Sequence, residues 1–201
     1  MRLVCVRHGE TEWNRRGKIQ GVTDISLNEN GLSAAGRFLE TLRARGYRFA
    51  RVYTSPLKRA YETGDVIAKA YDIPIIVKNG LTELCFGKFE GLSWDEVRAA
   101  YPSQYEYWNT HRKDARPPEG ESYHHKSDDI IDSMKEILSE TGEDEDLLIV
   151  SHSAALKALL CPIRHVDYNN MLKAFPLGNL DEIVLTAEDL KEIRKYKRSC
   201  G

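Results

Sequence analysis

An α/β sandwich of three layers, with a largely parallel central sheet flanked by helices, is the architecture this sequence predicts. Two short apolar runs, Leu3-Val4-Cys5-Val6 and Leu147-Leu148-Ile149-Val150, read as buried strands. Each ends abruptly in polar chemistry, Arg7-His8-Gly9 after the first and Ser151-His152-Ser153 after the second. Between them, segments with helical apolar spacing alternate with further strand-like runs, the order that builds a parallel sheet. In open α/β sheets ligands sit beyond the carboxyl ends of the strands. A rigid frame can therefore hold Arg7 and His8 toward a pocket, and a second strand delivers His152.

The elements follow in order. Gly9 lets the first strand turn and brings backbone close to a ligand. Residues 14–23 are polar and punctuated by Gly17 and Gly21, which predicts a loop near the pocket. Ser26 or Asn28 caps a helix over 29–45, with Leu32, Ala35, Phe38, Leu39 and Leu42 at helical spacing and Gly46 as its stop. A short strand at 51–54 runs into Ser55-Pro56, a capping residue followed by proline at the first helical position. That start places Ser55 and Arg59 at the positive end of a helix dipole, where anions bind.

Residues 73–77 form a third strand, put near an edge by Pro74. The stretch 81–91 is glycine-rich and irregular, and Ser93-Trp94-Asp95-Glu96 is a capping box for a short helix reaching Tyr101. From 101 to 120 the chain carries tyrosines, Trp108, His111, Arg112, Lys113, Arg116 and paired prolines; it reads as a flap over the pocket mouth, with a mobile surface excursion as the alternative. Trp94, Tyr105, Tyr107 and Trp108 either stack on a leaving group or pack the flap on itself. A helix over 122–140 turns Ile130, Ile131, Met134, Ile137 and Leu138 inward, and 142–146 is a solvated acidic turn. After the strand at 147–150 come helices over 154–160 and about 168–173, a final strand at 183–185, and a helical or frayed basic tail from Lys191.

With 201 residues the chain can bury one sizeable core, so a single domain over 1–201 is expected, with a flap or subdomain at about 81–121. Hydrophobic content of 41% and charged content of 30% belong to an ordinary globular protein, and a net charge of -2 gives no footprint for nucleic acid. Cys5, Cys85, Cys161 and Cys200 are scattered without a Cys-x-x-Cys pair, against a zinc site or disulfide framework and in favour of reduced thiols in the cytoplasm. The start reads as a strand rather than a secretory signal, and no apolar run approaches bilayer length, so no membrane partner is expected. Nothing in the pattern fixes an oligomeric state.

A phosphate monoester carries close to two negative charges near neutral pH, and a pocket that grips it must converge several cationic or N–H donors. Arg7 and His8 after the first strand, Arg59 in a first helical turn and His152 after the core strand come from separate parts of the chain and share positions at element ends. Singly, Arg59 also reads as a surface arginine and His152 as a satisfied core histidine; the joint placement points to a phosphate site once it is joined to the family resemblance carried by the motifs that follow. His124 and His125 do not suggest a metal pair, because adjacent helical residues diverge by about 100°.

The run Arg7-His8-Gly9-Glu10-Thr11 with Trp13 and Asn14 resembles the signature of the histidine phosphatase superfamily, the group that includes the cofactor-dependent phosphoglycerate mutases. The resemblance continues through Ser55-Pro56-Leu57-Lys58-Arg59-Ala60-Tyr61-Glu62-Thr63, Leu81-Thr82-Glu83 with Gly87, Glu90 and Gly91, Pro118-Glu119-Gly120-Glu121-Ser122, and Val150-Ser151-His152. It implies a phosphoglycerate mutase-like fold and a two-step transfer through a phosphohistidine on His8. Arg7, Arg59 and His152 would spread over the equatorial phosphoryl oxygens, with Asn14, Gln20 and Gly21 adding neutral donors. Glu83 would protonate the departing alkoxide and then take a proton from water, and a dianionic phosphate beside it favours the protonated form. No metal and no other cofactor is implied. Ser153, counted among the phosphate-binding residues, stands where the family usually has glycine, which tightens backbone approach near His152.

A hydrolase acting on a small phosphorylated metabolite, with inorganic phosphate as product, is the reading the sequence favours. The alternatives are a cofactor-dependent phosphoglycerate mutase and a non-catalytic phosphate-binding module. A mutase must hold the carboxylate end of its substrate with extra cations and shield the phosphoenzyme from water. Here Leu84-Cys85-Phe86 stands where the mutases carry an arginine and a tyrosine, and Trp94 where they carry a lysine. The short length, Phe86 and the Pro-Glu-Gly-Glu-Ser segment look like the branch of α-ribazole and broad-specificity phosphatases. A binding module would need a broken pocket, and His8, Arg59, Glu83 and His152 are all present.

Overall fold

The computed structural model describes residues 2–142 and 145–198. Five strands, β1 (Leu3–Arg7), β2 (Phe49–Thr54), β3 (Ile75–Val77), β4 (Asp146–Ser151) and β5 (Glu182–Leu185), form one sheet in the order β3-β2-β4-β1-β5. The first four run parallel and β5 returns antiparallel along β1, with Val4 opposite Val184. Around them lie α1 (Glu12–Arg15), α2 (Glu29–Ala44), α3 (Lys58–Tyr71), α4 (Trp94–Ala100), α5 (Pro102–Thr110), α6 (Tyr123–Ser139), α7 (Ser153–Ile163), α8 (Met171–Ala174) and α9 (Ala187–Lys195).

β4 is the most apolar strand and takes the centre. Leu147, Leu148, Ile149 and Val150 are each 0% exposed, a burial that stabilises by about 1.5–3 kcal/mol per side chain. Alternate residues serve opposite faces. Leu147 and Ile149 join Leu3 and Cys5 in a core with Ile130, Met134 and Ile137 of α6 and Leu156 of α7. Leu148 and Val150 join Val4, Val6 and Val52 against Leu39 and Leu42 of α2 and Ile67 of α3. A third cluster, with Leu84, Phe86, Phe89, Val97 and Trp108, lies under α4 and α5.

Several local expectations are corrected. Residues 14–23 are not all loop: α1 is capped by Thr11 in a capping box with Asn14, and none of its residues is buried, so no apolar period announced it. α2 is capped by Asn28 and buries Gly31, Ala35, Leu39 and Leu42, whereas Leu32 is exposed. A Cβ on Gly31 would run into the Glu10 carbonyl, so the first turn of α2 wedges against the loop after β1. α3 begins later than Ser55-Pro56 suggests, with Leu57 at its N-cap and no side-chain cap bond. The Ser55 hydroxyl instead accepts from the Leu57 N–H at 3.2 Å and meets His152 Nε2 at 2.8 Å. Arg59 still falls in the first turn.

The segment 101–120 contains α5, opened by Pro102 and pinned by Trp108, so it is neither a long loop nor a bare excursion. The acidic turn is not simply solvated: Glu145 pairs with Arg51 at 2.9 Å, and Asp146 starts β4 and pairs with Arg2. Glu143 and Asp144 lie outside the described residues. Of the two readings of the tail, helical or frayed, the helical one holds, and the helix is packed. Thr186 and Asp189 form a capping box for α9, Leu190 and Ile193 are buried, and Asp189 holds Arg164 at 2.8 Å. Cys5, Cys85 and Cys161 are free thiols, and Cys200 lies outside the described residues. No helix among the described residues is long and apolar enough to cross a membrane.

Candidate active site

Sheet register gathers the polar strand ends. Arg7 lies opposite Ser151 and Thr54 opposite Val150, and the ladders extend one step further, His8 N–H to the Ser151 carbonyl at 3.0 Å and Ser55 N–H to the Val150 carbonyl at 3.1 Å. Residues 8, 55 and 152 therefore emerge side by side at one edge of the sheet. The His8 and His152 rings are 5.1 Å apart between centroids, and both residues are almost fully buried.

His8 Nδ1 meets the Gly9 carbonyl at 2.7 Å. Since a carbonyl only accepts, Nδ1 carries the proton and Nε2 keeps its lone pair. Burial first, then the charges of Arg59 and Arg7, hold the His8 pKa well below the ordinary imidazole value. His152 is depressed in the same direction by burial, then by Arg59 and His8. Both rings thus stay neutral where an unfolded chain would protonate them. Below pH about 6.5 the unfolded state binds more protons, so stability falls as the pH drops. Two such groups give a slope of up to about 2.7 kcal/mol per pH unit. Urea melts at stepped pH values between 7.5 and 5.5, each read with its error as roughly set by the method, will show this loss, and a His152→Asn variant will show a shallower slope; a flat profile would contradict the neutral pair.

Arg7 reaches the Leu177 carbonyl through Nη1 at 2.7 Å. Arg59 is fully buried and donates to the Thr23 carbonyl at 2.8 Å and the Gly21 carbonyl at 2.6 Å. Glu90 clasps the same loop, accepting from the N–H groups of Val22 at 3.1 Å and Thr23 at 3.0 Å. Gly21 has φ +53° and a Cβ there would strike the Glu90 carboxylate, so the turn requires glycine. Arg7 Nε, Arg59 Nε and His152 Nδ1 remain as buried nitrogens without a partner.

Glu83 is set by the amino end of α7. Its Oε1 accepts from the N–H groups of Leu84 at 2.9 Å and Ala155 at 2.8 Å, and Oε2 from Ala154 at 3.2 Å. It supplies the cap that α7 otherwise lacks, since His152 makes no side-chain cap bond. Thr11 orients two amides, its N–H reaching Asn14 Oδ1 at 3.2 Å and its hydroxyl Gln20 Oε1 at 3.0 Å. Their NH₂ groups are left to donate elsewhere.

A cavity of about 520 Å³ opens over this floor, with Arg7, His8, Asn14, Gln20, Gly21, Arg59, Glu83 and Ser153 in its wall. His152 is not among those wall residues; its ring lies 5.1 Å from that of His8. The remaining wall is aromatic, with Phe86, Trp94, Tyr105 and Trp108, and Trp94 stacks on Trp108 at 5.1 Å. These rings both pack on each other and face the cavity, whereas Tyr107 is exposed and stacks on His111. Sequence reasoning left four contributors unassigned. Lys157 and Arg112 line the cavity, as does Tyr123, and Asn179 ties the strand end by donating to the His8 carbonyl at 2.9 Å and the Gly9 carbonyl at 3.0 Å. For Lys157 there was a signal: it lies one helical turn beyond Ser153, whose hydroxyl accepts from its Nζ at 2.6 Å.

Among the described residues, Glu121, His125 and Asp129 form a group whose donor atoms lie within 4.8 Å of one another. Lys126 stands 3.3 Å from Glu121 and Arg198 3.2 Å from Asp129, so side-chain cations already answer those carboxylates. None of the three lines the cavity.

This arrangement is shared with known proteins. The profile of the histidine phosphatase superfamily (branch 1) matches residues 3–195. The chain is 28% identical over 196 residues to phosphoserine phosphatase 1 of Hydrogenobacter thermophilus, covering 96% of this chain and 90% of that protein. It is 31% identical over 174 residues to a 2,3-bisphosphoglycerate-dependent phosphoglycerate mutase of Parvibaculum lavamentivorans, covering 85% and 83%. The structure of a phosphoserine phosphatase from Entamoeba histolytica in complex with 3-phosphoglyceric acid superimposes with a TM-score of 0.80 at 29% identity, covering 91% of this chain and 89% of that one. The chain belongs to the histidine phosphatase superfamily, branch 1, and is an enzyme of the histidine phosphatase type.

Proposed function

We propose that the chain is a cytoplasmic, metal-independent phosphatase that hydrolyses a small phosphomonoester through a phosphohistidine on His8. The observation that carries this reading is the set of buried, unpartnered nitrogens Arg7 Nε, Arg59 Nε and His152 Nδ1 on side chains gathered about His8. Buried donors left unsatisfied in a native protein call for a ligand; a phosphoryl group supplies acceptor oxygens to both arginines, and to His152 Nδ1 with the Ser55 hydroxyl donating to Nε2.

In the first step His8 Nε2 attacks phosphorus, the ester P–O bond breaks, and the alkoxide takes a proton from the Glu83 carboxyl. In the second, the Glu83 carboxylate takes a proton from water as its oxygen attacks phosphorus, the N–P bond breaks, and inorganic phosphate leaves. Arg7, Arg59 and His152 stabilise charge on the transferring group, and Asn14, Gln20, the Gly21 loop and Ser153 complete its cradle. The segment at about 81–121 serves as the flap that walls the leaving group. Glu83 is the sole carboxylate among the described residues lining the cavity, a donor set poor in the oxygen ligands a magnesium ion takes. Hydrolysis of an aryl phosphate will therefore survive excess chelator with less than about a twofold loss, an outcome far inside the tenfold of one 1.4 kcal/mol step; a magnesium requirement would refute the mechanism.

The mutase reading retains support from Arg112 and Lys157, cations in the cavity wall that the sequence did not assign. Against it, Phe86 and Trp94 present apolar surface there and Leu84 is buried in the core. Assaying phosphorylated metabolites with and without 2,3-bisphosphoglycerate, and scoring free phosphate against isomerised product, separates the two.

A further inference from the structure

We infer that Ser55 is a positioning residue for the reaction: its hydroxyl fixes the ring tautomer of His152, so that His152 turns an N–H, and not a lone pair, toward the phosphoryl group. This deepens the phosphatase reading and rests on it for the oxygen that the N–H meets. Ser55 is fully buried between the end of β2 and the start of α3. Its own N–H continues the sheet ladder to the Val150 carbonyl at 3.1 Å. Its Oγ has two neighbours: the N–H of Leu57, the N-cap residue of α3, donates to it at 3.2 Å, and His152 Nε2 lies 2.8 Å away. Among the described residues no further acceptor meets that hydroxyl.

An amide N–H only donates, so the Leu57 contact uses a lone pair of Oγ and leaves the single hydroxyl proton to be placed. If His152 Nε2 carried the ring proton, it too would donate to Oγ. The hydroxyl proton would then point into a dry core without an acceptor, and a bare Nδ1 lone pair would be buried as well. If Ser55 donates to Nε2, the hydroxyl is satisfied and the ring proton resides on Nδ1. Only that N–H then waits for a partner, and His152 Nδ1 is indeed a buried nitrogen without one. Burial first, then the charges of Arg59 and His8, hold the ring neutral, so it has a single N–H to place.

The result is a chain of donors with one direction: Leu57 N–H to Ser55 Oγ, Ser55 O–H to His152 Nε2, and His152 Nδ1–H outward. Each link polarises the next, so the positive amino end of α3 acts on an anion through two side chains. His8 holds the same tautomer for the opposite purpose, since there Nδ1–H is consumed by the Gly9 carbonyl and the Nε2 lone pair is presented. The other tautomer of His152 would set a lone pair against phosphoryl oxygens. Loss of the Ser55 hydroxyl therefore removes a donor at the reacting group as well as a buried contact.

The tautomer can be read directly. In ¹⁵N-resolved NMR of the histidine rings, with the His152 signals assigned by their loss in His152→Ala, the wild type will show a protonated Nδ1 and an unprotonated, hydrogen-bonded Nε2 at neutral pH. Ser55→Thr, which keeps a hydroxyl, will show the same pattern, and Ser55→Ala will lose it. Ser55→Ala will lower kcat for an aryl phosphate by about 10²–10³-fold, the effect of removing one donor to a transition-state oxyanion, and Ser55→Thr will recover at least about tenfold of that loss. A double-mutant cycle separates this role from a structural one. Once His152 is alanine, adding Ser55→Ala will cost less than about threefold more, because the two residues act as one unit. Affinity for inorganic phosphate, measured by calorimetry on the same proteins, will show the same non-additivity. A wild-type His152 protonated at Nε2, or a Ser55→Ala loss that persists at full size in the His152→Ala background, would overturn the inference. An Nδ1 tautomer that depends on Ser55 in a protein that hydrolyses no phosphomonoester would sink the phosphatase reading and leave the tautomer assignment standing.

Discussion

Replacing His8 with alanine will lower kcat for an aryl phosphate by about 10⁴-fold or more, the scale on which removing a nucleophile acts. The expectation follows from how the ring is held. Nδ1 is committed to the Gly9 carbonyl at 2.7 Å, so Nε2 is the nitrogen free to bond phosphorus. The depressed pKa keeps that nitrogen unprotonated through the neutral range, and the cation-bearing side chains that lower it are those proposed to receive the phosphoryl oxygens. Acid quenching of wild-type turnover with a labelled substrate should trap label on the protein in an acid-labile bond, and the variant should trap none. His8→Asn, whose amide can still donate to Gly9, guards against a folding artefact. It should be as inactive as the alanine variant and melt closer to the wild type. Activity within roughly tenfold of wild type in either variant, a cost of only about 1.4 kcal/mol in the barrier, would rule out covalent catalysis at residue 8.

The frame of the site was legible because it rests on local rules. Apolar runs of strand length ending in Arg7-His8 and Ser151-His152 reported both the strands and the edge at which they deliver histidines. Asn14, Gln20, Gly21, Arg59 and Glu83 line the cavity, in keeping with the motif resemblance. What escaped depends on pairings made across the fold. Ser55 looked like a helix cap, but its hydroxyl is taken by His152, 97 residues away. Register sets the ends of β1 and β4 side by side, which brings the His152 ring to 5.1 Å from that of His8. α1 escaped because none of its residues is buried, although it carries a capping box, and the helix of the tail begins four residues before Lys191, at a capping box on Thr186. From the sequence Arg112 belongs only to the flap and Lys157 carries no assignment, because nothing local tells a buried cation from a solvated one. Their burial comes from α5 and α7 closing on the aromatic cluster.

Exchanging Glu83 for glutamine will separate leaving groups instead of stopping all turnover. The carboxylate is fixed by the N–H groups of Leu84, Ala154 and Ala155, and an amide can satisfy the first and last through its oxygen while turning its NH₂ away. The geometry survives and the transferable proton is lost. For an alkyl phosphate, whose alkoxide cannot depart unprotonated, kcat/KM will fall by about 10²–10⁴-fold, the range general-acid catalysis supplies. For an aryl phosphate the phenolate leaves unaided, and kcat/KM, which reports only the steps through phosphohistidine formation, will fall by less than about tenfold. The second step still needs a base, so the phosphoenzyme of the variant will persist and release of the phenol will show a burst followed by a slow steady rate. The two observables bear on different halves of the mechanism. A uniform loss of kcat/KM across leaving groups would remove Glu83 as the acid, and a steady rate without a burst would remove it as the base. Either result would pass that role to another side chain in the cavity, of which Tyr123, buried beside Arg112, is the nearest in kind.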